Sequence, residues 1–363
     1  MTFLLKDPTA PEEIIAELQD LSAKYEIKVH TKQGGNGFIF SAINRILRSE
    51  VIIKFYYWGG LKKLHAEPQA LMSLQSPYVL QILDAGFAGN EWAYFVTPHC
   101  AEGDLDTFLQ RNRTSNLAAL DKCADILMGL AELHGQRLVH RDIKPANIYL
   151  HSEKAIIGDF GSIAKLPEGN DAVVASKHAV LYRPPESVVS NTYGFSGDIY
   201  QCGMVLYQLL GGALPYEEIH WLSKSQKLKY QKLQYPDSTL YADECVRERI
   251  AKGKLLNFST VNAWAPDGLI KIARRACSKD PKARFSSVAE FLAKLSEARS
   301  FVHDWSWTSE DELTLEGSTA YLIRKVDHEF RVFKRKKSSE WRADNTVGGS
   351  DLRRIVLDIE AKL

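Results

Sequence analysis

The sequence predicts an α+β fold in two lobes, a small β-rich N-lobe and a larger, mainly helical C-lobe, followed by a C-terminal α/β appendage. Three observations carry this reading. From Ile27 to Tyr57, β-branched and aromatic residues run in stretches broken at Gly34-Gly35-Asn36-Gly37 and at Arg48-Ser49-Glu50, the pattern of three antiparallel strands. From Leu105 to about Ala298 helical periodicity dominates. Beyond Ser300 the pattern changes again: Tyr321 to Arg342 alternates like a hairpin turning near Asp327-His328-Glu329, and Asp351 to Leu363 reads as a terminal helix. The expected division is a helical extension over 1–26, a two-lobed domain over 27–298 with its lobes meeting at 97/98, and an appendage over 299–363.

Each element has its own signal. Thr9-Ala10-Pro11-Glu12 has the form of a capping box, and Ile14, Ile15, Leu18 and Leu21 follow at helical spacing. His65 to Leu74 has a helical pattern despite Pro68, while Val79 to Leu83 and Trp92 to Thr97 read as further strands. The stretch from Glu217 to Ala242, with Lys224, Lys227, Lys229 and Lys232, reads as an insertion whose charges form either a solvated helix face or a docking surface.

Composition bounds the function classes. With 363 residues, 45% hydrophobic and 25% charged, the chain can bury a large core. A formal charge of +1 gives no overall field toward nucleic acid or anionic lipid. Five scattered cysteines with no C-x-x-C pair argue for reduced thiols and against a disulfide framework or a zinc site. The N-terminal Met1-Thr2-Phe3-Leu4-Leu5 meets Lys6-Asp7-Pro8 too soon for a signal peptide, and no run of apolar residues is long enough for a membrane span. A cytoplasmic protein is expected.

The chemistry concentrates in His140-Arg141-Asp142-Ile143-Lys144-Pro145-Ala146-Asn147, followed by Asp159-Phe160-Gly161. This spacing supplies a carboxylate for a hydroxyl proton, a lysine, an amide and a second carboxylate, the groups a Mg·ATP phosphotransfer site requires. Asn147 and Asp159 offer oxygen ligands suited to Mg²⁺, a hard ion. Upstream, Lys32-Gln33-Gly34-Gly35-Asn36-Gly37-Phe38-Ile39 is a glycine-rich turn, and glycine lets a backbone lie close against phosphate. A hairpin turn contains the same residues.

With both motifs in order, the chain resembles a eukaryotic-type (Hanks-type) serine/threonine protein kinase, over roughly residues 27 to 298. The resemblance implies a bilobal protein-kinase-like fold and roles for particular residues. Lys54, ending Val51-Ile52-Ile53-Lys54, matches the strand lysine that binds α- and β-phosphate, and Glu67 would be its helix partner. Asp142 would accept the substrate hydroxyl proton, and Lys144 would neutralise the transferring phosphate. Gly34, Gly37, Ile39 and Ile52 would surround the nucleotide. Thr97 would be the gatekeeper, Pro98 and Cys100 would meet adenine through their backbones, and Asp104 would reach the ribose. Tyr182-Arg183-Pro184-Pro185-Glu186 resembles the Ala-Pro-Glu motif, Glu186 is expected to pair with Arg284, and Asp198 is expected to brace the catalytic loop. Arg141 could pair with a phosphate in the activation segment, where Ser162 and Ser176 are the candidate sites.

Lys32, Ile52 and Ala179 depart from the family pattern, which keeps a pseudokinase or nucleotide-gated interaction module as the alternative. The implied cofactors are ATP and Mg²⁺, and the implied partner is a protein with a Ser/Thr hydroxyl. From Gly317 to Arg342 eight Lys and Arg residues face three Asp and Glu, interleaved with Tyr321, Phe330, Phe333 and Trp341. That segment is either a solvated hairpin packed on the kinase or the docking site of an acidic partner.

Overall fold

The computed structural model describes residues 10–34, 37–59, 74, 76–175, 180–337 and 339–363, with side chains given from 10–28 and from 37 onward within those ranges. The chain divides into two compact units, one running to Gly103 and including Tyr149–Ile163, the other formed by Asp104–Ile148 and Ala164–Leu363.

The first unit is built on a five-stranded antiparallel sheet ordered β1-β2-β3-β5-β4, with β1 at Tyr25–Gly34, β2 at Gly37–Asn44, β3 at Glu50–Tyr57, β4 at Asp84–Ala88 and β5 at Trp92–Pro98. Alternation in β2 and β3 puts Phe38, Phe40, Ala42, Val51, Ile53 and Phe55 on one buried face. Helix α1, Glu12–Leu21, closes that face with Ile14, Leu18 and Leu21. Each fully buried aliphatic side chain of this kind contributes roughly 1.5–3 kcal/mol. Thr9 of the expected capping box lies outside the described residues; Pro11 holds the N-cap position, and a proline ring offers no side-chain acceptor.

The strand expected at Val79 to Leu83 is displaced. Val79 makes only an isolated bridge to Ile157, and the paired strand is Asp84–Ala88. Val79, Leu80 and Ile82 are apolar because they are buried, not because they pair in a ladder. The backbone bonds Leu80 N to Ile157 O (2.8 Å), Ile157 N to Tyr78 O (2.9 Å) and Leu150 N to Gly103 O (2.9 Å) tie Tyr149–Ile163 into this unit. The expected helix over 65–74, with Glu67, lies almost wholly outside the described residues.

The second unit is helical through α2 (Leu105–Arg111), α3 (Asn116–Gly135), α4 (Pro185–Val189), α5 (Phe195–Leu209), α6 (Lys224–Tyr230), α7 (Asp237–Ala251), α8 (Asp267–Ala276) and α9 (Val288–Arg299). Helix α5 is apolar on nearly every side and buried almost throughout, the central post of the unit. The 217–242 stretch forms a short 3-10 turn, α6 and the start of α7. A Ser223–Gln226 capping box starts α6, which buries no residue, so its lysines lie on a solvated helix.

The C-terminal region holds more than a hairpin. Five strands, β6 (Ser306–Ser309), β7 (Glu312–Leu315), β8 (Thr319–Val326), β9 (Glu329–Lys336) and β10 (Arg342–Gly349), form an antiparallel meander, followed by α10 (Leu352–Glu360). The expected hairpin is its centre, β8 and β9, turning at Asp327 with φ 55°. The other strands escape sequence reading because Ser-Trp-Thr-Ser is short and Arg-Ala-Asp-Asn-Thr-Val-Gly-Gly has low β propensity. Leu313, Leu315, Tyr321, Ile323, Val332, Ile355, Val356 and Ile359 pack with Trp305 and with Trp264, which precedes α8. Asn116 Nδ2 donates to the carbonyls of Trp264 (3.0 Å) and His303 (2.8 Å), fixing this region to the start of α3. Among the described residues no helix is long and apolar enough to cross a membrane.

Candidate active site

In the first unit, β3 carries Lys54 opposite Ile39 of β2 and Phe95 of β5. The Lys54 ammonium lies 2.5 Å from Asp159 Oδ1. Asp159 adopts φ 55°, a left-handed conformation that aspartate tolerates better than most residues, and the turn Phe160–Ser162 follows. Gly34 and Gly37 are register partners at the end of the β1–β2 hairpin. A Cβ on Gly37 would collide with the Phe55 carbonyl oxygen, so only glycine lets the two strands approach there.

Ile52 pairs with Thr97, and Val51 with Pro98, along the β3–β5 ladder. Thr97 is 3% exposed, and Cys100 is buried beyond the strand end. Burial, and then the nearby Glu102 carboxylate, push the Cys100 thiol up, so this cysteine is a poor nucleophile.

In the second unit the segment from His140 to Asn147 is held by hydrogen bonds to its own groups and to α5. Asp142 Oδ2 accepts from Lys144 Nζ (2.9 Å) and Asn147 Nδ2 (2.9 Å), and Asn147 Nδ2 also donates to the Asp142 carbonyl (2.7 Å). Asp142 and Asn147 are both buried. The Asn147 amide nitrogen is thereby committed to Asp142, which leaves its oxygen as the group able to meet a cation.

Below them Asp198, fully buried, accepts from the backbone N–H of His140 (2.9 Å) and Arg141 (3.0 Å), from the Tyr193 hydroxyl (2.9 Å) and from His134 Nε2 (2.9 Å). Burial alone would raise this carboxyl. The His134 hydrogen bond and charge, with help from His140 and the Arg141 amide, offset that and hold it below the usual range. The same bonds stabilise Arg141 at φ 67°, a conformation unfavourable for arginine. Gln201, one turn along α5, accepts from Ile143 N (2.9 Å) and Tyr193 (2.8 Å). Tyr193, Gln201 and His134 were not legible as a brace from sequence; the only signal is the spacing of Gln201 from Asp198.

Arg284 is fully buried and grips Glu186 with two parallel bonds of 2.7 Å each, while its guanidinium lies over the Tyr200 ring. Asp104 caps α2, accepting from the Thr107 amide (2.8 Å) and hydroxyl (3.2 Å). Arg141 donates to the Val174 carbonyl (2.8 Å), and Ser162 is buried. Glu67, Ser176 and Ala179 lie outside the described residues.

The protein kinase domain model matches residues 25–296 of this chain. The chain belongs to the protein kinase family. Among similar kinases, 3-phosphoinositide-dependent protein kinase B of Dictyostelium discoideum is 28% identical over 201 residues, covering 54% of this chain and 22% of that protein. Serine/threonine-protein kinase pkn3 of Myxococcus xanthus is 27% identical over 215 residues, 54% of this chain and 39% of the relative. Mitosis inducer protein kinase cdr2 of Schizosaccharomyces pombe is 28% identical over 207 residues, 51% and 26% of the two chains. The matches thus span well under half the length of these relatives, and the five-stranded C-terminal sheet lies beyond the matched kinase domain.

Proposed function

We propose that this protein is a serine/threonine kinase that transfers the γ-phosphate of ATP to a protein hydroxyl, with Asp142 as the base. The observation that carries the proposal is the Lys144–Asp142–Asn147 arrangement. A buried carboxylate is fixed on one side by a lysine and on the other by an amide, both donating to the same oxygen. The second oxygen of Asp142 is the acceptor for a substrate hydroxyl proton. Lys144 then stands beside the reacting oxygen, where its charge favours the charge developed on the transferring group.

The donor set suits Mg²⁺: a carboxylate at Asp159 and an amide oxygen at Asn147 are hard ligands, and this ion is ordinarily held by one or two protein groups plus phosphate oxygens. When bound, it would neutralise phosphate charge. Lys54 would bind phosphate oxygens, Gly34 and Gly37 would give backbone access to them, and Ile39, Ile52, Thr97, Pro98 and Cys100 would receive the base. Asp104 is already committed to capping α2, so a ribose contact would share its carboxylate with Thr107. Lys54 holds Asp159, and a Glu67 partnership would be an exchange of that pair. Three cations of the C-terminal sheet, Arg324, Lys334 and Arg335, are paired with Glu312, Asp344 and Glu316, so an acidic partner for this segment has no support.

The test is incubation of the full chain with Mg²⁺ and γ-labelled ATP, with and without a generic basic protein, beside Asp142→Asn and Asp159→Asn. Serine or threonine labelling well above both variants is expected. Nucleotide binding with no label above the variants would favour a pseudokinase instead.

A further inference from the structure

Beside the catalytic segment the second unit contains a cavity of about 420 Å³ that the phosphotransfer reading leaves unused. Lys144 lines it, and Lys144 is bonded to Asp142, so whatever fills the cavity lies next to the hydroxyl being phosphorylated. Its apolar wall comes from Val180, Leu181, Tyr182 and Val246. Its charged groups are unbalanced: the carboxylates of Asp106, Glu218 and Asp243 face it, and Lys144, already paired with Asp142, is the one cation among its lining residues.

The three carboxylates are not equivalent. Asp106 is engaged by the Tyr216 hydroxyl and by Gln110 Nε2 (2.8 Å). Asp243 lies where its charge favours the cation of Arg183, with Arg247 also close to that cation. Glu218 has no ion-pair partner among the described residues, and burial followed by the charge of Asp243 pushes its carboxyl up. Glu218 thus lines the cavity with no ion-pair partner among the described residues, next to an Asp243 whose charge is shared with Arg183. A long basic side chain relieves this: its aliphatic stem covers Val180, Leu181 and Val246 while its charged head reaches Glu218 and Asp243. An acidic side chain would add a third like charge and be rejected.

We propose that this cavity selects protein substrates carrying a lysine or arginine close to the phosphorylated hydroxyl, with Glu218 and Asp243 as the specificity-determining residues. The proposal rests on the kinase reading above and names the substrate class of that same site.

The test uses the full-length protein, ATP and Mg²⁺, and serine peptides in which one lysine or arginine is moved through the positions flanking the serine, beside peptides with glutamine or glutamate there. At the preferred position the basic peptide is expected to show a kcat/KM about tenfold above the glutamine peptide, mainly through KM, with the glutamate peptide poorest. In Glu218→Gln/Asp243→Asn that ratio should fall toward one, and Glu218→Lys should turn the preference toward glutamate. Fluorescence anisotropy of a labelled peptide with alanine for serine checks the same ranking without catalysis. Equal kcat/KM and equal binding for basic and neutral peptides would overturn the cavity assignment. Transfer to no peptide and no generic protein, with the binding preference intact, would overturn the catalytic reading alone.

Discussion

Lys54 Nζ and Asp159 Oδ1 stand 2.5 Å apart, joining the centre of β3 to the Asp-Phe-Gly turn within one compact unit. The two residues are far apart in sequence, and the second segment reaches the first because Leu150 and Ile157 are hydrogen-bonded into the β-rich unit. Both side chains are partly exposed, so the pair is worth at most about 1 kcal/mol of stability. On the proposed kinase reading, the pair places charge where phosphate and cation would bind.

Lys54→Met and Asp159→Asn should therefore separate activity from folding. Each is expected to lower phosphotransfer by a factor of about 10³ or more, since positioning and charge supply nearly all catalysis in this reaction. Thermal melting should move little. A large loss of melting temperature in either variant would mean that the pair is structural.

Arg284 and Glu186 behave in the opposite way. The guanidinium is fully buried and bonded to both carboxylate oxygens, and it also donates to the Ser196 and Ser278 carbonyls. Removing the carboxylate leaves an unpaired buried cation, so Glu186→Ala should cost about 3–5 kcal/mol. Urea denaturation measures this, and a change under 1 kcal/mol would contradict it.

Trp305 is fully buried among the C-terminal strands and α10, and its indole N–H donates to Glu360 (2.9 Å). Trp305→Ala should destabilise the second unit by about 3–5 kcal/mol. Truncation after Ser300 should be worse, because it uncovers Trp264 and removes the His303 and Trp305 carbonyls to which Asn116 is bonded. A truncated chain that melts like the full one would show that the sheet is dispensable for folding.

Asp344 is nearly fully buried on β10. Burial would raise its carboxyl, but hydrogen bonds from Thr346 and the ion pair with Lys334 (2.9 Å) outweigh that and hold it at about 2. An unfolded aspartate titrates near 3.9, so the folded chain binds this proton more weakly. The resulting stability is fully present above about pH 4 and is lost as the pH falls toward 2. Melting temperature followed over this window should drop more steeply for the natural chain than for Asp344→Asn; identical slopes would refute the assignment.

Much of the candidate site was proposed from short segments, because a phosphotransfer site of the proposed kind needs a fixed order of residue types. Asp142, Lys144 and Asn147 lie so close in sequence that a single turn brings them together, and the alternation of β2 and β3 sets Lys54 opposite Ile39. The β-rich start and the helical middle followed from periodicity, and the Glu186–Arg284 pair from the family resemblance. What escaped was non-local. Val79 to Leu83 looked like a strand because burial and β pairing select the same side chains, and only the ladder tells them apart. Strand β10 has few β-forming residues and exists because β9 offers it an edge.

By itself, the sequence determined which chemical groups this protein holds and in what order, since covalent spacing fixes what one turn or one strand can present. The tertiary structure alone decided which distant groups meet. It put Asp159 on Lys54, Tyr193 and His134 on Asp198, Trp264 against a five-stranded sheet, and Glu218 and Asp243 around one cavity with Lys144. Such meetings depend on how buried faces pack across long loops, and no local pattern of residues encodes that.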